Sequence, residues 1–329
     1  MDFTTPGYED LELSTQIIIG EALARGYAVD VLDRTDNFIR IRGKGKIEYV
    51  KQATRTSRDS YIAPLIMENK SVTKAILAET GIRVPAGEEC SRADAGVFPR
   101  WKGKAIVIKP KSTNFGKGVH ILHPPFAEGD WNAAVDDALA YDDRILVEEF
   151  QAGREYRFLV VGDEVPAVLR RVPANVTGDG KMAIRELVER KNRNPLRGTG
   201  YTAPLEKIRL GGVETGFLAL QGLTADSVPE AGRQVFLREN SNISTGGDSI
   251  DCTDDVHPSY KAIAAASAKA VGARISGVDI IADDVSRRAD GENYAVIELN
   301  FNPAIHIHDF PWQGKNRRLE EHVFRLLGL

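Results

Sequence analysis

Hydrophobic residues recur with the period of a helix near the start of the chain. Ile17, Ile18 and Ala22 form one apolar stripe, which predicts an amphipathic helix in this segment. Ser14 stands where an N-cap residue is expected, and Gly26 stands where a helix ends. We therefore expect the first element to be a helix that is capped by Ser14 and stops at Gly26.

The pattern then changes to the alternation that is typical of strands. Val29–Val31 alternates with polar residues, and Phe38–Arg42 and Lys46–Val50 alternate on either side of a Gly-Lys-Gly turn, which predicts a β-hairpin. A helical pattern returns at Asn69–Thr80, where Asn69 provides an N-cap and Gly81 ends the helix. The first part of the chain is therefore expected to mix helices with a small sheet.

The middle of the chain predicts a small α+β subdomain. Two short strands flank a polar, glycine-containing loop, and a helix and a further strand follow. The predicted elements are a strand at Ala105–Lys109, the loop Pro110–Gly118, a strand at Val119–Leu122, a helix at Ala127–Ala140 and a strand at Arg144–Phe150.

Longer strands alternate with helices after Gly153. The strands are predicted at Tyr156–Val161 and Val165–Arg170, and the helices at Ala183–Lys191, Pro258–Val271 and Arg317–Leu327. The segment 173–247 is rich in Gly, Asn, Thr and Arg, and we expect it to consist of loops with one or two short helices. Loops of this length inside a compact domain commonly carry function.

Composition limits the class of protein. The 329 residues are 42% hydrophobic and 27% charged, which is typical of a soluble globular protein with two or three domains. The net charge of −4 gives no global basic footprint, so no nucleic-acid partner is expected, and a local basic groove is the alternative. Cys90 and Cys252 are too few for a zinc site or a disulfide framework. With no secretory signal and no apolar run of membrane-spanning length, we expect a cytoplasmic protein without a membrane partner.

The loop after the strand at Ala105–Lys109 has the composition of a phosphate-binding segment. Two glycines let the backbone approach a ligand, and successive N–H groups can surround a phosphate. Lys109 and Lys117 add positive charge on either side of the loop. The spacing differs from that of a P-loop, and a plain hairpin with a glycine bulge is the alternative interpretation.

Three oxygen-bearing side chains near the end of the chain fit a Mg²⁺ site. Asp279 lies at the end of one predicted strand, and Glu298 and Asn300 lie two residues apart on another, where they project to the same side. Carboxylate and amide oxygens are the ligands that Mg²⁺ shares with substrate phosphates. A solvent-facing polar row on an edge strand is the alternative.

Two further segments are polar enough to bind a ligand. The strand at Leu146–Phe150 ends in acidic residues and is followed by Glu155, an arrangement that suits an adenine edge and a ribose, although exposed glutamates at a strand end are common. Leu237–Asp248 contains an arginine, two asparagines, hydroxyls and a glycine pair, which suits a carboxylate, an oxyanion or an acyl phosphate. A solvated turn is the alternative for this second segment.

In this order, these features resemble the ATP-grasp superfamily of carboxylate–amine ligases. The runs YIAPLIMENKSVTKAIL, RVPANVTGDGK, NPLRG, LRENSNISTGGDSID and IELNFNP are similar to the C-terminal glutathione-synthetase module of bifunctional γ-glutamate–cysteine ligase/glutathione synthetases. The resemblance covers the chain from about Glu12 onward. It implies an α+β ATP-grasp fold with three subdomains, an N-terminal α/β subdomain at 1–87, a central lid at 88–152 and a C-terminal catalytic subdomain at 153–329.

The resemblance also implies roles for individual residues. ATP would be bound by Lys70, Lys109, Ser112, Gly116, Lys117, Gly118, Glu148, Glu149, Phe150 and Glu155. Two Mg²⁺ ions, with Mn²⁺ as a substitute, would be bound by Asp279, Glu298 and Asn300. The catalytic residues would be Arg238, Lys109 and Asn242, and substrate would contact Arg171, Lys181, Asn240, Gly246 and Gly247. Gly277 stands where D-alanine ligases have an arginine, which assigns the oxyanion role to Arg238.

The activity that the resemblance implies is the joining of γ-glutamylcysteine to glycine through an acyl phosphate, with ADP, phosphate and glutathione as products. A homodimer and a separate or fused glutamate–cysteine ligase would be its partners. A ligase with another acceptor, similar to cyanophycin synthetase or specialised for another pathway, and a non-catalytic nucleotide-binding module are the alternatives. His306 and His308, spaced by two on an extended chain, are interpreted as structural or substrate-pocket residues rather than a metal site, and Trp312 as packing.

Overall fold

The computed structural model describes residues 3–91, 98–112 and 117–329. In these ranges the helices are α1 (Leu13–Ala24), α2 (Ile62–Glu68), α3 (Lys70–Glu79), α4 (Phe98–Trp101), α5 (Glu128–Leu139), α6 (Ile184–Asn192), α7 (Gly212–Leu220), α8 (Pro258–Ala270), α9 (His306–Asp309) and α10 (Leu319–Leu327).

The strands of the same ranges are β1 (Ala28–Asp33), β2 (Phe38–Gly43), β3 (Lys46–Lys51), β4 (Gly87–Cys90), β5 (Ile106–Pro110), β6 (His120–Leu122), β7 (Ile145–Glu149), β8 (Arg154–Val161), β9 (Glu164–Val172), β10 (Asn175–Thr177), β11 (Arg197–Gly198), β12 (Leu205–Glu206), β13 (Gln234–Phe236), β14 (Asp248–Asp251), β15 (Ile275–Ala282) and β16 (Tyr294–Asn300).

The chain divides into two compact units, each built from separate segments of sequence. Unit 1 contains Met1–Asp59, Glu164–Asp254 and Asn302–Leu329, and unit 2 contains Ser60–Asp163 and Asp255–Phe301. The subdomain boundaries expected from the sequence, 1–87, 88–152 and 153–329, stay a prediction.

Unit 1 begins with a helix and a three-stranded meander. The antiparallel strands β1, β2 and β3 lie in that order, and the predicted hairpin is confirmed, with Lys44 and Gly45 in the left-handed conformation that a tight turn requires. The helix α1 is also confirmed, but the prediction that Ser14 caps it is wrong. Ser14 lies inside the first turn of α1 because its buried hydroxyl is used by a distant histidine.

The long polar segment of unit 1 folds around a small core of its own. Helices α6 and α7 confirm the expectation of one or two short helices, and β10 pairs with β13 while β11 pairs with β12. The core comprises Ala174, Val176, Ile184, Leu187, Val188, Ile208, Leu218, Val235 and Leu237. Next to this segment, β9 and β14 form an antiparallel pair.

Unit 2 contains a four-stranded antiparallel sheet in the order β4, β7, β5, β6. The predicted strands and helix of this region are confirmed as β5, β6, α5 and β7, and β4 adds an edge strand that the sequence did not reveal. Helix α5 covers the sheet through Trp131, Ala134 and Ala138, which pack against Ile106 and Ile108 of β5. The sheet therefore holds β5 and β7, with their polar ends, in a fixed register.

A second sheet region of unit 2 consists of the antiparallel strands β8, β15 and β16. Helix α8 begins with Pro258 at its first turn, and α3 begins as predicted, with the Asn69 side chain accepting a hydrogen bond from the Val72 amide. Asp279 was expected at a strand end, and this expectation is wrong. Asp279 lies within β15 because the apolar run continues to Ala282.

Among the described residues, none of the helices combines the length and the apolar composition needed to cross a membrane.

Candidate functional site

The three predicted metal ligands converge on one face of β15 and β16 in unit 2. Asp279 is the direct cross-strand partner of Glu298, and Asn300 follows two residues later on the same face of β16. The Asn300 side-chain amide donates to Asp279 Oδ2 at 3.2 Å. Asp279 is 1% exposed, so its charge requires a compensating partner.

That partner is Arg157, a residue that the sequence interpretation missed. Arg157 lies opposite Asp279 on β8 and forms a two-pronged ion pair with it, in which Nη2 lies 2.9 Å from Oδ2. Burial lowers the pKa of Arg157, but the Asp279 carboxylate outweighs burial and raises that pKa above its ordinary value. Arg157 follows Glu155 by two residues, so the same i, i+2 rule that paired Glu298 with Asn300 could have found it.

The donor chemistry of this face fits Mg²⁺. Asp279, Glu298 and Asn300 offer two carboxylates and one amide oxygen, which are hard ligands that leave coordination positions for water and phosphate oxygens. In the described structure the Arg157 guanidinium supplies the positive charge beside Asp279. A cation bound by these three side chains would therefore share Asp279 with Arg157.

The predicted phosphate-binding lysines are also brought together in unit 2. Lys109 Nζ lies 2.9 Å from Glu148 Oε2, and Lys70 Nζ lies 3.6 Å from Glu298 Oε1. Burial lowers the pKa of Lys70. Both lysines are 9% exposed, so each ammonium group is held in a largely desolvated position beside a carboxylate.

Lys74 joins this group, and it too was missed. Its Nζ lies 2.7 Å from Glu148 Oε1, so Glu148 is contacted by ammonium groups through both oxygens. Burial raises the pKa of Glu148, but Lys109 and Lys74 outweigh burial and lower that pKa below its ordinary value. Burial lowers the pKa of Lys74. Lys74 follows Lys70 by four residues, which places both on one face of α3 and is a signal present in the sequence.

The residues expected to contact adenine and ribose lie on β7, just after it and on β8. Glu149 forms an ion pair with Lys104 at 3.1 Å. Phe150 donates its backbone N–H to Ala105, and its ring contacts His123 edge-on. Glu155 lies on β8 on the same face as Arg157. Their roles in binding a nucleotide stay a prediction.

The glycine-containing loop is described only at its two ends. The Ser112 amide and hydroxyl both donate to Asp142, with the amide at 2.8 Å from Oδ2. Gly118 has a φ of +67°, and a Cβ there would lie 2.8 Å from the Pro110 ring, so glycine is required. Lys117 is exposed. Gly116 lies outside the described residues, and its role stays a prediction.

The predicted substrate and catalytic residues of the Leu237–Asp248 segment lie in unit 1. Arg171 is 8% exposed and donates to the Asn242 side-chain oxygen and, at 3.3 Å, to the Ser241 carbonyl. Asn240 accepts a hydrogen bond from the Thr245 hydroxyl at 3.2 Å. The structure thus brings Arg171 and Asn242 together, and their predicted roles stay predictions.

Gly246 and Gly247 are required by close packing. Gly246 has a φ of +96°, and a Cβ there would lie 2.8 Å from the Ile208 backbone. A Cβ on Gly247 would lie 2.9 Å from the carbonyl oxygens of both Asn242 and Val172. This close approach explains both glycines without a ligand, so their predicted contact with substrate stays a prediction.

Arg238 and Lys181 occupy different surroundings in unit 1. Arg238 forms an ion pair with Glu214 of α7, and Glu214 is 2% exposed. This buried carboxylate holds the guanidinium that was predicted to stabilise an oxyanion. Lys181 is exposed in the turn after Asp179, whose carboxylate accepts a hydrogen bond from the Lys181 amide. The catalytic role of Arg238 stays a prediction.

A buried ionic group around Asp248 was not anticipated. Lys191 Nζ lies 2.6 Å from Asp248 Oδ2, Arg197 contacts Oδ1, and Asn175 donates to Oδ2 at 2.8 Å. Both cations also lie over the Trp312 ring, each about 5.1 Å from its centroid. Burial lowers the pKa values of Lys191 and Arg197. Because Asn175 and Asp248 are 73 residues apart, no local sequence pattern predicts this group.

The two histidines of the run at 306–309 are buried, and the extended conformation expected for them is wrong. The run forms the short helix α9 because its backbone turns back over Ile305. His306 Nδ1 lies 2.7 Å from the Ser14 hydroxyl, and burial lowers the pKa of His306 to about 4. Within the described ranges, no group of three His, Cys, Asp or Glu residues is arranged to hold a metal.

Comparison with known proteins gives related sequences and related solved structures. A family model described as an ATP-grasp-like domain matches residues 9–62. The glutathione biosynthesis bifunctional protein GshAB of Clostridium perfringens is 55% identical over 328 residues, 99% of this chain and 42% of that protein. The protein of the same name from Listeria welshimeri is 51% identical over 324 residues, 98% of this chain and 41% of that protein.

A crystal structure of a bifunctional glutathione synthetase from Pasteurella multocida matches with a TM-score of 0.77 and 44% identity. The match covers 99% of this chain and 45% of the crystallised one. The chain therefore spans about two fifths of the length of the curated relatives that it matches.

Proposed function

Because a family model described as an ATP-grasp-like domain matches part of this chain, and the chain is similar along nearly all of its length to bifunctional glutathione biosynthesis proteins, we propose that it is an ATP-dependent carboxylate–amine ligase of the ATP-grasp family. The observation that carries the proposal is the convergence in unit 2 of three oxygen ligands and a buried lysine group. Asp279, Glu298 and Asn300 share one face, and Lys70 contacts Glu298. This combination suits a nucleotide triphosphate with its magnesium ions.

The lysines and the strand β7 are assigned to the nucleotide. Lys70 and Lys109 contact phosphate oxygens, and Ser112, Gly116, Lys117 and Gly118 belong to a loop that covers them. Glu148, Glu149 and Phe150 hold the adenine, and Glu155 holds the ribose hydroxyls. The burial of Lys70 and Lys109 supports this assignment, since charges in a desolvated position attract a phosphate strongly.

Asp279, Glu298 and Asn300 would hold two Mg²⁺ ions, with Mn²⁺ as a substitute. Bound magnesium neutralises charge on the phosphates of ATP. Arg157 keeps the Asp279 carboxylate in position on β15 through its two-pronged ion pair.

The reaction follows from these roles. An oxygen of the substrate carboxylate attacks the γ-phosphorus of ATP, the bond from that phosphorus to the bridging oxygen breaks, and an acyl phosphate and ADP result. An amine then attacks the acyl carbon, loses a proton and expels inorganic phosphate. Arg238 and Asn242 stabilise the negative charge on the carbonyl oxygen, and Lys109 stabilises the transferred phosphoryl group. Arg171, Lys181, Asn240, Gly246 and Gly247 contact the substrate.

We assign γ-glutamylcysteine as the carboxylate substrate and glycine as the amine. The printed names of relatives that are 55% and 51% identical support this choice, because those proteins are named for glutathione biosynthesis. Their bifunctional description supports a glutamate–cysteine ligase, fused or separate, as the source of the dipeptide. A homodimer is the oligomeric state proposed.

The test is ADP release by the purified chain with ATP, Mg²⁺, γ-glutamylcysteine and glycine, each omitted in turn, with product mass recorded. ADP formation that requires both substrates, with a product of glutathione mass, is the expected result. ADP formation that requires a different amine would assign another ligase specificity, as in a cyanophycin-synthetase-like enzyme. Absence of ADP with every γ-glutamyl dipeptide and amino acid pair would overturn the proposal.

A further inference from the structure

Glu148 is a single buried carboxylate held by two ammonium groups. It lies on β7 and is 2% exposed. Lys74 of α3 contacts its Oε1 at 2.7 Å, and Lys109 of β5 contacts its Oε2 at 2.9 Å. One ammonium group is sufficient to neutralise one carboxylate, so this arrangement contains a second counter-ion.

The second counter-ion gives Glu148 more positive charge than one carboxylate requires. Lys74 and Lys109 contribute two positive charges beside one negative charge. Burial lowers the pKa of Lys74, so its ammonium group is held there at a cost in solvation. One of the two ammonium groups can therefore move to an anion while the other stays with Glu148.

Of the two lysines that contact Glu148, Lys109 is the one expected to move to an anion. Lys109 is the next-to-last residue of β5, close to where the polar loop begins, whereas Lys74 lies in the middle of α3. If Lys109 turns toward a phosphate, Lys74 is the cation that stays with Glu148. Without Lys74, the same movement would leave a buried carboxylate with no counter-ion, which is strongly unfavourable.

We propose that Lys74 is a positioning residue that serves as the permanent counter-ion of Glu148 and thereby releases Lys109 to bind a nucleotide phosphate. The proposal rests on the nucleotide site proposed above. It assigns to α3 two tasks one turn apart, since Lys70 contacts phosphate and Lys74 neutralises Glu148. Lys74 acts through Glu148 and Lys109 and does not itself touch the nucleotide.

A double-mutant cycle tests this mechanism. The probe is ADP with Mg²⁺, whose dissociation constant is measured by titration calorimetry on the full chain and on K74M, E148Q and K74M/E148Q. We expect K74M to weaken ADP binding about tenfold or more, because Lys109 is then retained by Glu148. In the E148Q background no carboxylate needs a counter-ion, so K74M should add no further loss.

Three controls make the outcome specific. K74R retains the charge and should restore the affinity to within about threefold of wild type. K269M removes an exposed lysine from α8 of the same unit and should leave ADP binding unchanged. If K74M alone fails to fold, as judged by its thermal transition, E148Q and K74M/E148Q are still compared, because the double variant removes the carboxylate together with its lysine, and a further loss of ADP affinity in the double variant would contradict the proposal.

Two results would overturn the inference. One is ADP affinity in K74M equal to wild type, and the other is a K74M loss that is the same in the wild-type and E148Q backgrounds. Failure of the wild-type chain to bind ADP at all would overturn the proposed nucleotide site itself. The two failures are therefore distinguishable.

Discussion

Asp309 and Glu320 bring two carboxyl groups together in the buried part of unit 1. Asp309 is 2% exposed and accepts the Leu319 amide at 3.0 Å, while Glu320 accepts the Arg318 side chain at 2.7 Å. Among the described residues, no donor reaches Asp309 Oδ2 or Glu320 Oε2. Burial and the charge of Glu320 raise the pKa of Asp309 well above its ordinary value. One proton shared between the two oxygens satisfies both.

This pair predicts a pH-dependent stability that Asp309→Asn removes. The folded chain keeps the proton on Asp309 while the unfolded chain releases it near pH 4, so wild-type stability falls as pH rises from that value toward the raised pKa. The neutral amide has no such proton to lose. We expect the difference in thermal midpoint, Asp309→Asn minus wild type, to be larger at pH 8 than at pH 5. Circular dichroism measures both midpoints.

Glu321→Gln, at a more exposed position of α10 that pairs with Arg318, is the matched control and should follow wild type at both pH values. A difference between wild type and Asp309→Asn that is the same at pH 5 and pH 8 would contradict the shared proton.

Single residues of the candidate site were predictable from sequence only where the spacing was local. The i, i+2 rule placed Glu298 and Asn300 on one face, and the structure agrees. Arg157 follows the same rule relative to Glu155, but the sequence interpretation missed it. A single arginine on a strand indicates no site until its cross-strand partner, here Asp279, is known. Lys74 was missed for a similar reason, since its partner Glu148 lies on a different element.

At the scale of elements, Asp248 connects the long polar segment of unit 1 to the strand that follows it. Lys191 of α6 and Arg197 of β11 both contact this carboxylate, and Asn175 of β10 donates to it. Asp248 itself begins β14 and is 4% exposed. One carboxylate therefore fixes the positions of four elements.

Asp248→Asn should destabilise the chain by about 3 kcal/mol, because removing one partner leaves two buried cations without a full counter-charge. Urea denaturation measures the change in the free energy of unfolding. The matched control is Asp226→Asn, which breaks an exposed ion pair with Arg185 and should cost less than about 1 kcal/mol. Equal, small losses for the two variants would contradict the organising role of Asp248.

The elements themselves were largely predictable because periodicity and caps are local signals. The prediction of an α+β ATP-grasp fold is confirmed. The N-cap of α3 and the β2–β3 hairpin follow from neighbouring residues alone. The cap assigned to Ser14 was wrong because a long-range hydrogen bond to His306 uses its hydroxyl. Helices α2 and α7 were not located, since Pro and Gly residues interrupt their patterns.

At the scale of the whole molecule, the residues of the proposed ligase site are divided between the two units, in a chain that spans about two fifths of its curated relatives. Unit 2 carries the proposed nucleotide and metal residues, and unit 1 carries Arg171, Arg238 and Asn242. The sequence resemblance predicts roles for these residues. The division into two discontinuous units has no local signal, because it depends on contacts between distant segments.

The central claim is that a substrate carboxylate is activated by transfer of the γ-phosphoryl group. The most direct measurement uses γ-glutamylcysteine labelled with ¹⁸O in its cysteinyl carboxylate, with ATP, Mg²⁺ and glycine, and follows the inorganic phosphate by ³¹P NMR. The acyl phosphate mechanism predicts one ¹⁸O atom in each phosphate released, because the attacking carboxylate oxygen leaves with the phosphorus. Phosphate that forms in step with product but carries no ¹⁸O would contradict the account.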